Sequence, residues 1–391
     1  MPLPDPRPPA AARLAGFVPF SPQRVAHYRA AGYWPGRWVD SLLREAAVNW
    51  PERIAVADAA DPHTAHTYAD LDRRADRAAV GFAGLGIAPG ERVLLQLPNS
   101  CRFAVALFGL LRAGAIPVLC LPGHRLAELT HFADRSGAVG VVIGDDAEQH
   151  RMARQLVTAR PRLRHLIIAG GNGVEGVEGG EGGDPGAFVS LADLPAGTAP
   201  VGAIDTATPA LLLTSGGTTG LPKLIPRTHD DYVYNATASA ALCRLTGDDV
   251  YLAVLPAAHN FPLACPGLLG AITVGATTVF TTDPSSEAAF ATIARHGVTV
   301  TAVVPALAKL WAQACDWEPE KPTSLRLLQV GGAKLASEDA RRIRVNLTPG
   351  LQQVFGMAEG LLNFTRLDDP VEVVEQTQGR PLCAADELRV V

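Results

Sequence analysis

Short, nearly continuous apolar runs punctuate the chain, and the stretches between them read as amphipathic helices. In the first half the runs are ERVLLQLPN, AIPVLCLPG, AVGVVIGDD and RHLIIAG. In the second half they are ALLLTSG, VYLAVLP, ATTVFTTD, VTVTAVVP, LRLLQVGG and LQQVFG. A strand with one face in water alternates apolar and polar side chains, whereas a strand that is apolar throughout must be covered on both faces. Such strands separated by helices predict an α/β fold built on parallel sheets.

The chain has 391 residues. A single core usually stops growing at roughly 250–300 residues, so two α/β subdomains are expected. Residues 1–45 read as an irregular leader running into the first periodic helix, RWVDSLLREAAVNW. Residues 46–205 are assigned to a first subdomain and 206–391 to a second, joined near 185–208. Within the first, residues 170–186 (GGNGVEGVEGGEGGDPG) hold almost nothing that could be buried and predict a flexible surface loop. In DPSSEAAFATIARHG, Asp283 is the expected N-cap of a helix with Pro284 in its first turn. The closing DELRVV reads as the start of a strand, so the chain is expected to be truncated.

Several function classes are excluded. The net charge is −5 and no basic block stands out, which argues against nucleic acid as a partner. The most apolar region, FAVALFGLLRAGAIPVLCLPG, is broken by Arg112, Gly114 and Pro117 and predicts no membrane span. None of the six cysteines falls in a CxxC pair, which predicts reduced thiols and a cytoplasmic location rather than a zinc site or disulfide framework.

The stretch LLLTSGGTTGLPK, residues 211–223, is strand-like and then turns into small polar residues and a lysine. It is not a Walker loop, because Lys223 follows Leu-Pro and precedes Leu224 rather than Ser or Thr. It is not a dinucleotide fingerprint either, since the G-x-G-x-x-G spacing is absent. The chemistry still suits a polyphosphate. Gly216, Gly217 and Gly220 let backbone N–H groups approach closely, Ser215, Thr218 and Thr219 add hydroxyl donors, and Lys223 adds a charge.

TSGGTTGLPK resembles the phosphate loop of the adenylate-forming superfamily. VLPAAHNFPLACPG, LQVGGAKL and QVFGMAEGLLNFTRLDD resemble that superfamily's later motifs, in its order, and the likeness runs from about residue 20 to 391. The resemblance implies ATP and Mg²⁺. It implies that Thr214 to Lys223 hold phosphates and that Glu359, with Thr214, holds the metal. It implies an AMP site lined by Gly331, Gly332, Ala333 and Lys334, with Val354, Phe355, Gly356, Met357, Ala358 and Glu359 opposite. His259, Glu359 and Lys223 would carry the chemistry. It also implies two subdomains packed together, without the superfamily's β-barrel and lysine-bearing C-terminal domain, and so little turnover.

HNFPLACPG and IPRTHDDY resemble the aryl-acid AMP ligase branch, which serves siderophore-type nonribosomal peptide assembly. Those enzymes activate salicylate or 2,3-dihydroxybenzoate and load it on the phosphopantetheine arm of an aryl carrier protein. The likeness assigns His259, Asn260, Phe261, Cys265, Gly332, Ala333 and Leu362 to the aryl acid. Asn260 would bond the ortho hydroxyl, Phe261 would form an apolar wall, and His259 would position the carboxylate or a phosphate oxygen. The branch's dihydroxybenzoate members carry Ser and Val where this chain has Cys265 and Leu362. A buried 3-hydroxyl needs a polar partner; a thiol is a poor one and leucine fills space, so salicylate is the expected acid. The alternatives are a 2,3-dihydroxybenzoate-AMP ligase, an aryl-CoA ligase, or a non-catalytic module binding the acid or its carrier protein.

Overall fold

The computed structural model describes residues 14, 16–170, 188–191, 193, 204–215 and 220–389. The expected flexible loop at 170–186 lies outside these, apart from Gly170. The chain divides into two compact units interleaved in sequence: Met1–Arg44, Asp70–Pro98 and Arg102–Tyr234 make one, and Glu45–Ala69, Asn99–Cys101 and Asn235–Val391 the other.

The strands among the described residues are, in order, β1 (Ile54–Asp58), β2 (Asp61–Thr67), β3 (Arg92–Gln96), β4 (Ile116–Leu119), β5 (Gly140–Ile143), β6 (His165–Ile168), β7 (Phe188–Ser190) and β8 (Pro209–Thr214). They continue with β9 (Leu224–Thr228), β10 (Val250–Ala253), β11 (Thr277–Phe280), β12 (Val300–Val303), β13 (Leu327–Gly331), β14 (Leu351–Gly356), β15 (Leu362–Phe364) and β16 (Arg380–Pro381). The first unit holds a seven-stranded sheet, β7-β6-β5-β3-β4-β8-β9, and the second a nine-stranded sheet, β16-β15-β14-β13-β12-β10-β11-β1-β2. Both are parallel through their middles, with antiparallel strands at edges: β9 in one, β2, β15 and β16 in the other. The α/β expectation of two parallel-dominated sheets therefore holds, and every apolar run named above forms a strand.

Four local expectations are corrected. The sheets do not divide near 185–208: β1 and β2 join the second unit's sheet, while β8 pairs with β4 in the first. Hydrophobic pattern marks a strand but not the sheet it joins. The leader is not irregular throughout, since Pro22–Ala30 is a helix. Ser21 caps it by accepting from the Arg24 N–H, with Pro22 in its first turn, but it buries no residue and so has no apolar periodicity to read. The helix Ser286–His296 is capped by Ser285, which accepts from the Ala288 N–H; Asp283 instead accepts from the Ser285 N–H in the turn before it. Finally, β2 (DPHTAHT) and β9 (LIPRT) lack the continuous apolar run of a central strand because they lie at or near an edge.

In the first unit, β3 to β6 pack on helices through Leu94, Val118, Phe132, Val141, Leu156 and Leu166, all essentially buried. A buried guanidinium pins three helices beside this sheet: Arg112 bonds the Asp40 carboxylate at 3.0 Å and also the Asp72 carboxylate. In the second unit, Leu252, Val279, Phe290, Val303, Trp311, Leu328 and Ile343 form one core. Phe290 and Trp311 meet edge to face at 5.9 Å. No helix among the described residues is long and apolar enough to cross a membrane, and all six cysteines are free.

His229 begins the helix His229–Leu242, and its Nδ1 accepts from the buried Val39 N–H at 3.2 Å. Burial lowers its pKa from 6.5 to about 4, against the opposing pull of Asp230. The unfolded chain thus takes up a proton that the folded ring refuses. This contribution to stability is complete above pH 6.5 and declines as the pH falls toward about 4, where the folded ring protonates too. His229→Asn keeps an acceptor but cannot titrate. Urea unfolding from pH 7.5 to 4.5 should show the wild type losing roughly 2–3 kcal/mol more than the variant. Parallel losses would show that this ring titrates freely in the fold.

Candidate functional site

The glycine-rich stretch sits in the first unit, between β8 and β9. These strands are antiparallel, with Thr214 opposite Leu224, so the loop joins two strands and does not open a helix. Its base is fixed: the Ser215 N–H donates to the Lys223 carbonyl at 3.0 Å, and the Lys223 N–H donates to Ser215 Oγ at 2.9 Å. The Thr214 hydroxyl is buried and donates to the Leu119 carbonyl at 3.4 Å. Lys223 is exposed, and its ammonium makes no hydrogen bond or ion pair with any described residue. A Cβ at Gly220 would meet nothing within 4 Å, so the loop's far side is open. Gly216, Gly217, Thr218 and Thr219 lie outside the described residues. An open hollow of about 560 Å³ elsewhere in this unit, bordered by Arg29, Trp34 and Trp38, involves none of the motif residues.

The remaining candidates belong to the second unit. Most cluster at the C-terminal ends of its parallel strands, where open α/β sheets bind ligands. The short helix Asn260–Ala264 carries Asn260 and Phe261, both buried. His259 is its N-cap, and Nδ1 accepts from the Phe261 N–H at 3.2 Å. An accepting Nδ1 places the proton of the neutral ring on Nε2. The ring is open to solvent on one side, yet the protein around it lowers its pKa from the ordinary value, so it is neutral at pH 7. Its Nε2–H is therefore a neutral donor, and it bonds no described residue.

The loop before His259 is held by a residue that sequence reasoning missed. The Asn99 amide nitrogen lies 2.8–3.0 Å from the carbonyls of Ala253, Leu255 and Thr281, and its Oδ1 accepts from the Ala257 N–H at 2.6 Å. Asn99 thereby ties the ends of β10 and β11 to the turn that carries the histidine. The only signal in the sequence is a polar residue after β3, in LPNS, which is too common to single out.

The Phe261 ring lies against the end of β13. A Cβ on Gly331 would come within 2.9 Å of Phe261 Cε1 and 2.8 Å of the Val354 carbonyl oxygen. Only glycine fits between the ring and the neighbouring strand. Beyond it, Gly332 has φ +86°, a left-handed turn that leaves Gly332, Ala333 and Lys334 exposed. On the other side, β14 and β15 form a hairpin with Gly356 opposite Leu362. The Met357 N–H donates to the Leu361 carbonyl at 2.9 Å, which puts Ala358, Glu359 and Gly360 at the tip, with Glu359 exposed. Leu362 is buried, and its Cδ2 would lie 2.7 Å from a Cβ on Gly356. Cys265 ends the short helix, fully buried, its thiol donating to the Asn260 carbonyl at 3.4 Å. The structure thus brings Phe261, Gly331 and Val354 together, Asn260 with Cys265, and Gly356 with Leu362. Among the described residues no three His, Cys, Asp or Glu side chains are grouped so as to hold a metal.

Comparison with known proteins shows the family of the chain. Residues 43–391 match the family of AMP-binding enzymes. The chain is 68% identical over 386 residues to the salicyl-AMP ligase / salicyl-S-ArCP synthetase of Mycobacterium tuberculosis, covering 97% of this chain and 66% of that protein. It is 43% identical over 380 residues to the 2,3-dihydroxybenzoate-AMP ligase of Bacillus subtilis, covering 96% of this chain and 68% of that protein. The apo structure of Mycobacterium smegmatis MbtA superposes with a TM-score of 0.87 at 65% identity, over 96% of this chain and 67% of that one. The chain spans about two thirds of the length of the curated relatives it matches.

The Phe261–Gly331 contact leaves no space for a methyl group. Gly331→Ala should cost about 1–3 kcal/mol in denaturant unfolding, by forcing the ring or the β13–β14 pairing aside. Unchanged stability would show that the ring has slack to move.

Proposed function

We infer, since the chain belongs to the AMP-binding enzyme family, that it adenylates an aryl carboxylic acid, with salicylate as the acid, for transfer to an aryl carrier protein. The observation that carries the choice of acid is the burial of Cys265, bonded to Asn260, and of Leu362, packed against Gly356. In this reading the aryl ring lies along Gly331, Gly332 and Ala333 with Phe261 as a wall, and Asn260 bonds the ortho hydroxyl. The carbon that carries the extra hydroxyl of 2,3-dihydroxybenzoate faces the thiol and the leucine. Neither compensates a buried hydroxyl for the water it loses.

The reaction joins a carboxylate oxygen to the α-phosphorus of ATP, and the α–β phosphoanhydride bond breaks to release pyrophosphate. The carboxylate is ionised at pH 7, so no general base is required. Neutral His259 donates through Nε2–H to a carboxylate or phosphate oxygen, and a neutral donor steadies that charge without holding a rigid ion pair. Ser215, Gly216, Gly217, Thr218, Thr219, Gly220 and Lys223 gather the departing phosphates. Lys334, Val354, Phe355, Gly356, Met357 and Ala358 border the nucleotide. Mg²⁺ prefers one or two carboxylates completed by phosphate and water over an all-protein cage, and the exposed carboxylate of Glu359 suits that habit. When bound, the ion neutralises phosphate charge. The contribution of the protein is positioning and electrostatics.

The test is ATP–pyrophosphate exchange with each acid. An apolar pocket rejects an added hydroxyl by up to about 10²-fold, so salicylate should support faster exchange than 2,3-dihydroxybenzoate by roughly 10- to 100-fold. A preference for 2,3-dihydroxybenzoate would contradict the assignment.

A further inference from the structure

Behind Cys265 lies a buried polar layer that the reaction does not use. Strand pairing puts Tyr251 beside Thr278 and Val300, and Gln329 beside Ala302 and Gln352. Val300 and Ala302 are two residues apart on β12, so Tyr251, Thr278, Gln329 and Gln352 share one face of the sheet. That face meets a stripe of the helix His229–Leu242 and the residue after it. Asn235, Ser239 and Cys243 follow at four-residue spacing on one side.

Hydrogen bonds join the two surfaces. Gln329 Nε2 lies 3.3 Å from Cys243 Sγ and 3.2 Å from Gln352 Oε1, and the Asn235 amide donates to the Ala264 carbonyl at 2.6 Å and reaches Cys265 Sγ at 3.7 Å. Ser239 lies between Asn235 and Cys243 on the stripe, and so between the two thiols. Tyr251 stands close enough to Cys265 and Cys243 for both to add to the effect of burial in raising its pKa.

This layer is almost completely dry, with Tyr251 1% exposed and Ser239, Thr278 and Gln329 at 0%. Even so, the Tyr251 hydroxyl, Ser239 Oγ, Thr278 Oγ1 and Gln329 Oε1 have no hydrogen-bond partner among the described residues. Leaving such a group dry and unbonded is costly, so four orphans in one layer call for an explanation.

We propose that Tyr251 and Ser239 are specificity-determining residues in reserve: a second layer of hydroxyls screened from the aryl acid by the Cys265 side chain. Shortening residue 265 exposes them to the acid's ring, where they bond a hydroxyl or other polar substituent at the position facing that residue. Cys265 thus acts as a cover as well as a wall. The substrate class follows: with residue 265 trimmed, the site takes aryl acids with a polar group there in preference to acids with an apolar group of similar size. This rests on the aryl-acid reading above.

The test uses the 391-residue chain and three non-hydrolysable acyl-sulfamate analogues of the aryl adenylates, made from salicylate, 2,3-dihydroxybenzoate and 3-methylsalicylate. Their affinities are measured by calorimetry for wild type, Cys265→Ala, Cys265→Ala/Tyr251→Phe and Cys265→Ala/Ser239→Ala. Cys265→Ala should favour the 3-hydroxy over the 3-methyl ligand by about three- to tenfold, the span of one gained hydrogen bond. Either second substitution should remove most of that preference while leaving the 3-methyl affinity nearly unchanged. The two double variants check each other, and melting temperatures identify one that fails to fold. A preference that survives both, or none in Cys265→Ala, would overturn the proposal and leave the layer as a site for internal water only. A wild type that binds none of the three would overturn the aryl-acid reading, and this inference with it.

Discussion

The close approach of the Phe261 ring to the Gly331 backbone fixes the layout of the second unit's site. Because residue 331 has no side chain, the ring can lie on the end of β13 beside the Val354 carbonyl. The short helix that carries the ring is thereby seated over the strand ends. Its cap, His259, and its last neighbour, Cys265, take their positions from it. The left-handed turn at Gly332 then leaves Gly332, Ala333 and Lys334 open to solvent. A larger residue at 331 would displace each of these together, so a backbone requirement at one glycine controls groups drawn from three chain segments.

Electrostatics follow from the same scaffold. The helix cap consumes Nδ1 of His259 and partial enclosure disfavours its charged form, so the ring is a neutral donor with a defined tautomer. Asn99 braces the turn before it with four contacts to backbone atoms. Glu359 takes the opposite arrangement: it stands at an exposed hairpin tip, open to solvent.

Much of this was legible in the sequence because its signals are local. Continuous apolar runs gave the central strands, and the ordered motifs gave the family. Sheet membership was not legible, since β1 and β2 precede every strand of the first unit yet pair in the second. Edge strands such as β2 and β9 escaped because they carry no run that needs covering on both faces. The helix Pro22–Ala30 escaped because it buries nothing. Asn99 was invisible because its role depends on carbonyls more than 150 positions away. The layer behind Cys265 was hidden likewise: Tyr251, Thr278 and Gln329 are unremarkable until strand pairing sets them on one face, and Ser239 comes from a helix.

The central claim is that the ends of β13 and β14, with the His259-capped helix, form an aryl-acid pocket. A crystal structure of the chain bound to the acyl-sulfamate analogue of salicyl-AMP tests it most directly. The account predicts the aryl ring along the Gly331 and Gly332 backbone, edge toward Phe261, ortho hydroxyl at Asn260, and the adjacent ring carbon facing Cys265 and Leu362. A ring bound elsewhere, or turned so that Cys265 and Leu362 do not touch it, would contradict it.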